Sequence, residues 1–230
     1  MKKRGPVIAI DGPSGVGKSV ISKFVAKELN LTYVDTGAMY RAFALVAFDA
    51  GINLEDESGL KEFSKTVSII FKDNGTRVFL NGKDYSIEIR SQRAGELASI
   101  VSTKKAVREF LVNEQKKLAQ DGFCVMEGRD IGTVVCPDAD VKIFLDAEGE
   151  ARATRRHVQL KQAGKSSHSL DEIGKEISER DRRDTSRAES PLKKADDAIL
   201  IDTTSLTLEE VLAMVLKEVK ERIILGDIHR

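Results

Sequence analysis

Apolar residues along this chain fall into short blocks, separated by stretches in which they recur every three or four positions. The blocks are Val7-Ile8-Ala9-Ile10, Leu31-Thr32-Tyr33-Val34, Phe123-Cys124-Val125-Met126, Val141-Lys142-Ile143-Phe144-Leu145 and Ala198-Ile199-Leu200-Ile201. Short, nearly continuous apolar runs fit strands buried on both faces. Between them Ile21, Val25 and Leu29 keep helical spacing, as do Val107, Phe110, Leu111 and Leu118. Strands alternating with helices predict an α/β fold around a parallel sheet. The last helix is the most regular. Leu208, Val211, Leu212, Val215 and Val219 form one stripe, expected to pack on the core. Thr207 and Glu210 make a capping-box pattern ahead of it, and Leu206 is placed to staple against Val211.

The rhythm breaks between Thr66 and Ile89. Val67-Ser68-Ile69-Ile70-Phe71 and Thr76-Arg77-Val78-Phe79-Leu80 read as strands around an Asp73-Asn74-Gly75 turn. Asn81-Gly82 signals a second hairpin leading toward Tyr85 and Ile87. A small antiparallel β insert, separate from the main sheet, is expected here.

The first strand runs into Gly12-Pro13-Ser14-Gly15-Val16-Gly17-Lys18-Ser19, which fits G-x-x-x-x-G-K-[ST] at every fixed position. A glycine turn between strand and helix aims several backbone N–H groups, and the positive end of a helix dipole, at one spot, which suits phosphate. Lys18 adds a mobile charge for β- and γ-phosphates, and Ser19 a hydroxyl for Mg²⁺.

Composition narrows the setting. The 230 residues suffice for one domain with inserts. Lys and Arg balance Asp and Glu at 37 each, so no global field favours nucleic acid or a membrane, and nothing in the charge distribution demands an oligomer. A monomer is expected. The start, Met1 to Pro6, is basic but has no long apolar stretch behind it, which argues against a signal peptide or spanning helix. Cys124 sits in an apolar run and is not in a C-x-x-C pair with Cys136; a reducing cytoplasm is the expected compartment.

Three further clusters carry charge. Asp35-Thr36-Gly37-Ala38-Met39-Tyr40-Arg41 follows the second strand. Thr36 is a candidate helix cap, and Arg41 can fork onto an anion or simply face solvent. Glu127-Gly128-Arg129-Asp130 follows a strand at the carboxyl edge of the sheet, where α/β folds bind ligands. Glu127 there can hold Mg²⁺ through water. Finally, Arg180, Arg183, Asp184 and Arg187 share a helix face within a zone, 151–194, that has 12 Lys and Arg against 7 Asp and Glu. Such a zone suits an arginine-rich lid over phosphates, or a salt-bridged exposed helix.

The succession GPSGVGKS, DTGAMYR, EGRDIGTVV and ERDRRDTSR, with Pro191-Leu192 following, resembles the bacterial cytidylate kinases, P-loop nucleoside monophosphate kinases, along nearly the whole chain. The resemblance implies a five-stranded parallel sheet of P-loop kinase topology with flanking helices, an antiparallel nucleotide-side insert and a helical lid. Its core would span about 5–62, 94–150 and 188–230, its NMP-binding insert about 63–93 and its lid about 151–187. It implies transfer of the γ-phosphoryl of ATP to CMP or dCMP with Mg²⁺. By resemblance Gly12, Pro13, Ser14, Gly15, Val16, Gly17, Lys18, Ser19 and Val20 match the ATP site, with Ser19 on the metal. Arg152, Arg155 and Arg156 fall in the lid, and Arg156 is expected at the ATP site. Thr36, Arg41, Arg129 and Arg187 match positions at the CMP phosphate. Ser99, Arg108 and Asp130 match cytosine contacts, and Arg180 and Asp184 face sugar and phosphate. Lys18, Arg129, Arg180 and Arg187 would be catalytic. Thr36 replaces a frequent serine, Glu127 an expected aspartate, and Val20 a common threonine.

The base chemistry agrees. An aspartate accepts from the cytosine amine and an arginine donates to N3 or O2, whereas uracil would turn an oxygen on the carboxylate. A phosphate oxygen needs no general base, and His157, His168 and His229 are not placed to be one. Two rivals are another small-molecule P-loop kinase, acting on UMP, AMP, shikimate or dephospho-CoA, and a GTPase switch. Asp146-Ala147-Glu148-Gly149 spells D-x-x-G, but there is no N-K-x-D for guanine.

Overall fold

The computed structural model describes residues 4–162, 164 and 169–228, so His168 and His229 lie outside the described residues. Strand β1 (Val7–Asp11) leads through the glycine-rich loop into α1 (Lys18–Glu28), and β2 (Thr32–Asp35) leads into α2 (Thr36–Asp49). Helix α3 (Glu57–Ser64) precedes three short strands, β3 (Ile69–Lys72), β4 (Arg77–Leu80) and β5 (Lys83–Asp84). Helices α4 (Gln92–Val101) and α5 (Lys105–Ala119) then return the chain to β6 (Cys124–Gly128). A π-helical turn (Ile131–Val135), β7 (Val141–Asp146), α6 (Gly149–Gln162), α7 (Leu170–Ser186), β8 (Ile199–Asp202) and α8 (Leu208–Ile228) complete it.

Five strands form one parallel sheet in the order β2-β6-β1-β7-β8. Central β1 is buried along its whole length, as its unbroken apolar run requires. One face packs Ile21 and Val25 of α1 and Val211, Val215 and Val219 of α8 onto Ile8, Ile10, Ile143 and Leu145. The other packs Val112 of α5 and Ile131 onto Val7, Ala9 and Met126. The strand order brings the ends of β1, β2 and β6 side by side, and each end opens into one of the charged segments.

The antiparallel insert is present as β3-β4-β5, with Phe71 opposite Val78. It packs Ile69, Val78 and Leu80 against Phe43 of α2. Its turn docks on β2: Tyr33 N donates to Asn74 O at 3.3 Å, and a Cβ on Gly75 would fall 1.5 Å from Tyr33 O, so only glycine fits. Helices α6 and α7 share a core of their own, Ala153, Ile173 and Ile177.

Three sequence expectations need correction. Phe123 is outside its strand: its φ of 54° turns the chain before β6, and the ring is 58% exposed. Strand β8 is an edge with one covered face, so Leu200 is exposed while Ile201 is buried. The capping box at Thr207 and Glu210 forms, but Leu208 is 46% exposed; Leu206 packs on the core at that end of α8 instead.

Candidate active site

The glycine loop leaves β1 through Gly12, whose φ of 148° and close approach to Leu145 O exclude any Cβ. It enters α1 through Gly17, left-handed at φ 97°. Lys18 is buried beneath the loop, its Nζ donating to Gly12 O at 2.8 Å and Pro13 O at 2.6 Å. Val16 packs into the core, while Val20 faces solvent.

Helices α6 and α7 close on this loop. Asp181 Oδ1 accepts from Ser14 N at 3.0 Å, and Arg152 donates to Ser14 O at 3.0 Å and to Asp181. Of the three candidate arginines on α6, Arg152 is the one against the loop. Arg155 bonds Thr203 and Thr204, and Arg156 is exposed and donates to Gln159 at 2.8 Å. Arg156, expected from the resemblance at the ATP site, has an exposed side chain here.

A group of cations lines the space beyond Lys18. Burial, then the nearby Arg129 and Arg180, push the Lys18 amine well below its ordinary value, while Glu127 and Asp11 oppose this. Arg180 falls to about 10 through burial and repulsion from Arg129 and Arg41. Cations held close enough to depress one another are stabilised by a polyanion. Arg41 is oriented by Asp35 at 2.7 Å. Asp35, not Thr36, caps α2, accepting Ala38 N at 2.9 Å, because the aspartate oxygen reaches the first turn. The Thr36 hydroxyl donates to Glu127 O at 2.7 Å and so ties α2 to β6.

Glu127 is buried beside Ser19 and accepts from the Tyr33 hydroxyl. Burial, then Asp35, raises its carboxyl, and hydrogen bonds from Tyr33 and Ser19 pull it back. Among the described residues no cluster of three acidic, His or Cys side chains could enclose a metal by itself. One hydroxyl beside one carboxylate is a donor set for Mg²⁺ that keeps waters and phosphate oxygens as its other ligands.

A second polar cluster is walled by α2, α5 and α7. Arg108 on α5 pairs with Asp130, both buried, and lies 5.6 Å from the centroid of the Tyr40 ring. Arg187 Nη2 stands 4.0 Å from Asp130 Oδ1, and Arg187 Nη1 3.5 Å from Asp184 Oδ1. Arg129 Nε donates to Asp184 Oδ2 at 2.9 Å. Burial alone would raise Asp184, but Arg129, Arg187 and Arg180 outweigh it and hold the carboxyl low. Arg108 Nε and Arg187 Nη2 are buried with no hydrogen-bond partner, donor capacity that a polar planar ligand can use. Ser99 is buried on α4, which packs along α2. Arg183, expected on the shared face, turns to Glu179 at the surface.

A family model, Cytidylate kinase, matches residues 8–221. The chain belongs to the cytidylate kinase family. Cytidylate kinases of a Geobacter species and of Carboxydothermus hydrogenoformans are 47% and 48% identical to it. The first match spans 99% of this chain and 98% of that relative, the second 91% and 95%. Among solved structures, a gluconokinase from Sinorhizobium meliloti superposes with a TM-score of 0.52 at 12% identity, covering 99% of both chains. That likeness places this cytidylate kinase family member in the fold of P-loop kinases.

The sequence motifs for the family site therefore converge at the ends of β1, β2 and β6 and under α7. Sequence reasoning missed Asp11, Tyr33, Asp35 and Asp181, which hold these groups in place. Asp11 and Asp35 had a signal: each is a carboxylate ending an apolar strand. Asp181 had none beyond its place in an arginine-rich run.

Proposed function

We propose that the protein transfers the γ-phosphoryl group of ATP to CMP or dCMP, giving ADP and CDP or dCDP. The observation that carries this reading is the pairing of two anion-ready centres. One is the glycine loop with Lys18; the other is the Arg41, Arg129 and Arg180 group, next to a buried Arg108–Asp130 pair suited to cytosine.

The donor phosphates lie on the loop amides of residues 12–20, with Lys18 swinging from Gly12 O and Pro13 O to their oxygens. Arg152 is the lid arginine best placed beside them. Ser19, with Glu127 beside it, would hold Mg²⁺, which would supply neutralisation of charge on the donor phosphates. Arg41, Arg129 and Arg187 hold the acceptor phosphate and Thr36 supports that wall, while Arg180 neutralises the group in flight. Transfer is direct and in line, with no covalent enzyme intermediate. Asp130 accepts from the cytosine amine, Arg108 donates to the ring, Ser99 completes the base site and Asp184 faces the sugar. Residues of about 63–93 serve as the NMP-side insert and about 151–187 as the lid, whose closure excludes water. The chain acts as a cytoplasmic monomer on small nucleotides.

ATP consumption measured over CMP, dCMP, UMP, AMP and shikimate tests the reading. CMP or dCMP is expected to lead by at least an order of magnitude in kcat/KM. Equal rates with AMP or UMP would overturn it.

A further inference from the structure

The buried carboxylate of Asp11 belongs to neither centre, yet it joins them. Asp11 ends β1 and is followed directly by Gly12, the first residue of the phosphate loop. Its Oδ1 accepts from Ile131 N at 2.9 Å and its Oδ2 from Gly132 N at 2.8 Å. These are the two residues after Asp130. The turn they begin also closes on Asp130 itself, with Val134 N and Val135 N donating to Asp130 O at 2.9 and 3.2 Å. The Asp130 backbone is thus locked into a turn whose first two amides end on Asp11.

We propose that Asp11 is a positioning residue for the acceptor base, setting where Asp130 presents its carboxylate by clamping the Ile131 and Gly132 amides. The proposal rests on the CMP kinase reading above and deepens it by naming a specificity determinant outside the site.

The side-chain type follows from the donor count. Two amides must be satisfied in a place with no water access, and a carboxylate offers two acceptor oxygens where an asparagine offers one. Asparagine would turn its amino group on one of the N–H donors. The cost of burying the charge is visible: burial raises the Asp11 carboxyl to about 6, with the two amide bonds pulling it back. The phosphate loop does not depend on this clamp. Strand pairing of Asp11 with Gly128 and Phe144 fixes the backbone where the loop begins without the side chain. The amide bonds of the clamp therefore act on the acceptor side, while the Asp11 charge is also felt at Lys18.

The test is kinetic. Asp11→Asn is expected to raise the KM for CMP at least about tenfold and to lower the CMP-to-UMP ratio of kcat/KM by a similar factor. Affinity for an ATP analogue, measured by calorimetry, is expected to change less than that for CMP, since only the Asp11 charge beside Lys18 reaches the donor side. Gly132→Ala approaches the same bond from the other side. Its Cβ would sit 3.2 Å from Lys142 Cδ and 3.4 Å from Asp11 Oδ2, so the same signature is expected at smaller size, and it serves if Asp11→Asn does not fold. Val215→Ala, a truncation in the core of α8, controls for instability. If both variants lose only melting temperature and keep the wild-type CMP-to-UMP ratio, as Val215→Ala should, Asp11 is merely structural and the proposal falls. Equal loss of ATP affinity would overturn it too. A wild-type enzyme with no preference for CMP defeats the underlying reading first, whatever the variants do.

Discussion

Arg108 and Asp130 form an ion pair with side chains only 4% and 8% exposed, linking α5 to the loop after β6. In the proposed reaction the pair serves both the fold and the recognition of the base. Asp130→Ala leaves Arg108 charged and uncompensated in the interior, which costs about 3–5 kcal/mol. Loss of stability is therefore no argument against a role in base recognition. Asp130→Asn keeps the shape and one acceptor oxygen. It is expected to fold, to raise the KM for CMP by about tenfold or more and to leave that for ATP within about twofold. Steady-state kinetics with each substrate varied in turn decides this.

Asp184 holds two arginines, Arg129 at 2.9 Å and Arg187 at 3.5 Å. Asp184→Ala frees both and removes the negative centre among Arg129, Arg180 and Arg187. The acceptor KM should rise with a fall in kcat, because arginine placement serves the transition state as well as binding. An unchanged kcat would confine Asp184 to ground-state binding of the sugar.

Lys18 is buried with its amine bonded to two carbonyls of its own loop, and in the proposed reaction it moves from these to the donor phosphates. Lys18→Met retains the apolar stem and removes the charge. A fall in kcat of about a hundredfold to a thousandfold is expected, with little change in melting temperature. Single-turnover transfer with radiolabelled ATP measures it.

Metal dependence separates Ser19 and Glu127 from the rest. Excess EDTA should abolish transfer. Glu127→Gln should raise the Mg²⁺ concentration for half-maximal rate several-fold without altering cytosine preference. An unchanged Mg²⁺ titration would remove Glu127 from the metal site and leave it as the partner of Tyr33 alone.

Asp11 makes stability depend on pH in a predictable direction. Its folded carboxyl lies at about 6 against 3.8 unexposed to the fold, with Asp130 raising it and Lys18 lowering it beside the dominant effect of burial. The folded state binds this proton more tightly. The stabilising contribution is complete below about 3.8 and is lost as pH rises through about 6, an effect of about 3 kcal/mol. Urea unfolding should show wild type losing stability relative to Asp11→Asn from about pH 4 to 7, with the difference flat above.

The parallel sheet was legible because burial on both faces leaves an apolar run that needs no partner to be recognised: β1, β6 and β7 sit where Val7, Cys124 and Val141 begin them. The hairpin insert was legible through turn chemistry at Asn74-Gly75 and Asn81-Gly82. Helices α3 and α4 were not, since α3 has only eight residues, with Leu60 its one fully buried apolar side chain, and α4 has only ten with Gly95 in its middle. In the site, the glycine loop was legible from local spacing. Which lid arginine faces it was not, because Arg152, Arg155 and Arg156 lie within two turns of one helix and differ only in what α6 packs against.

The sequence by itself determined the strands of the parallel sheet, the hairpin insert, the phosphate loop and the set of charged residues, since hydrophobic period and glycine spacing are local properties. Tertiary structure decided the pairings: Asp11 with Ile131 and Gly132, Asp181 with Ser14, Arg129 with Asp184, partners 55 to 167 positions apart. A buried charge must find a partner, but nothing periodic in the chain says which, because the choice is made by strand order and helix packing that bring distant segments to one edge of the sheet.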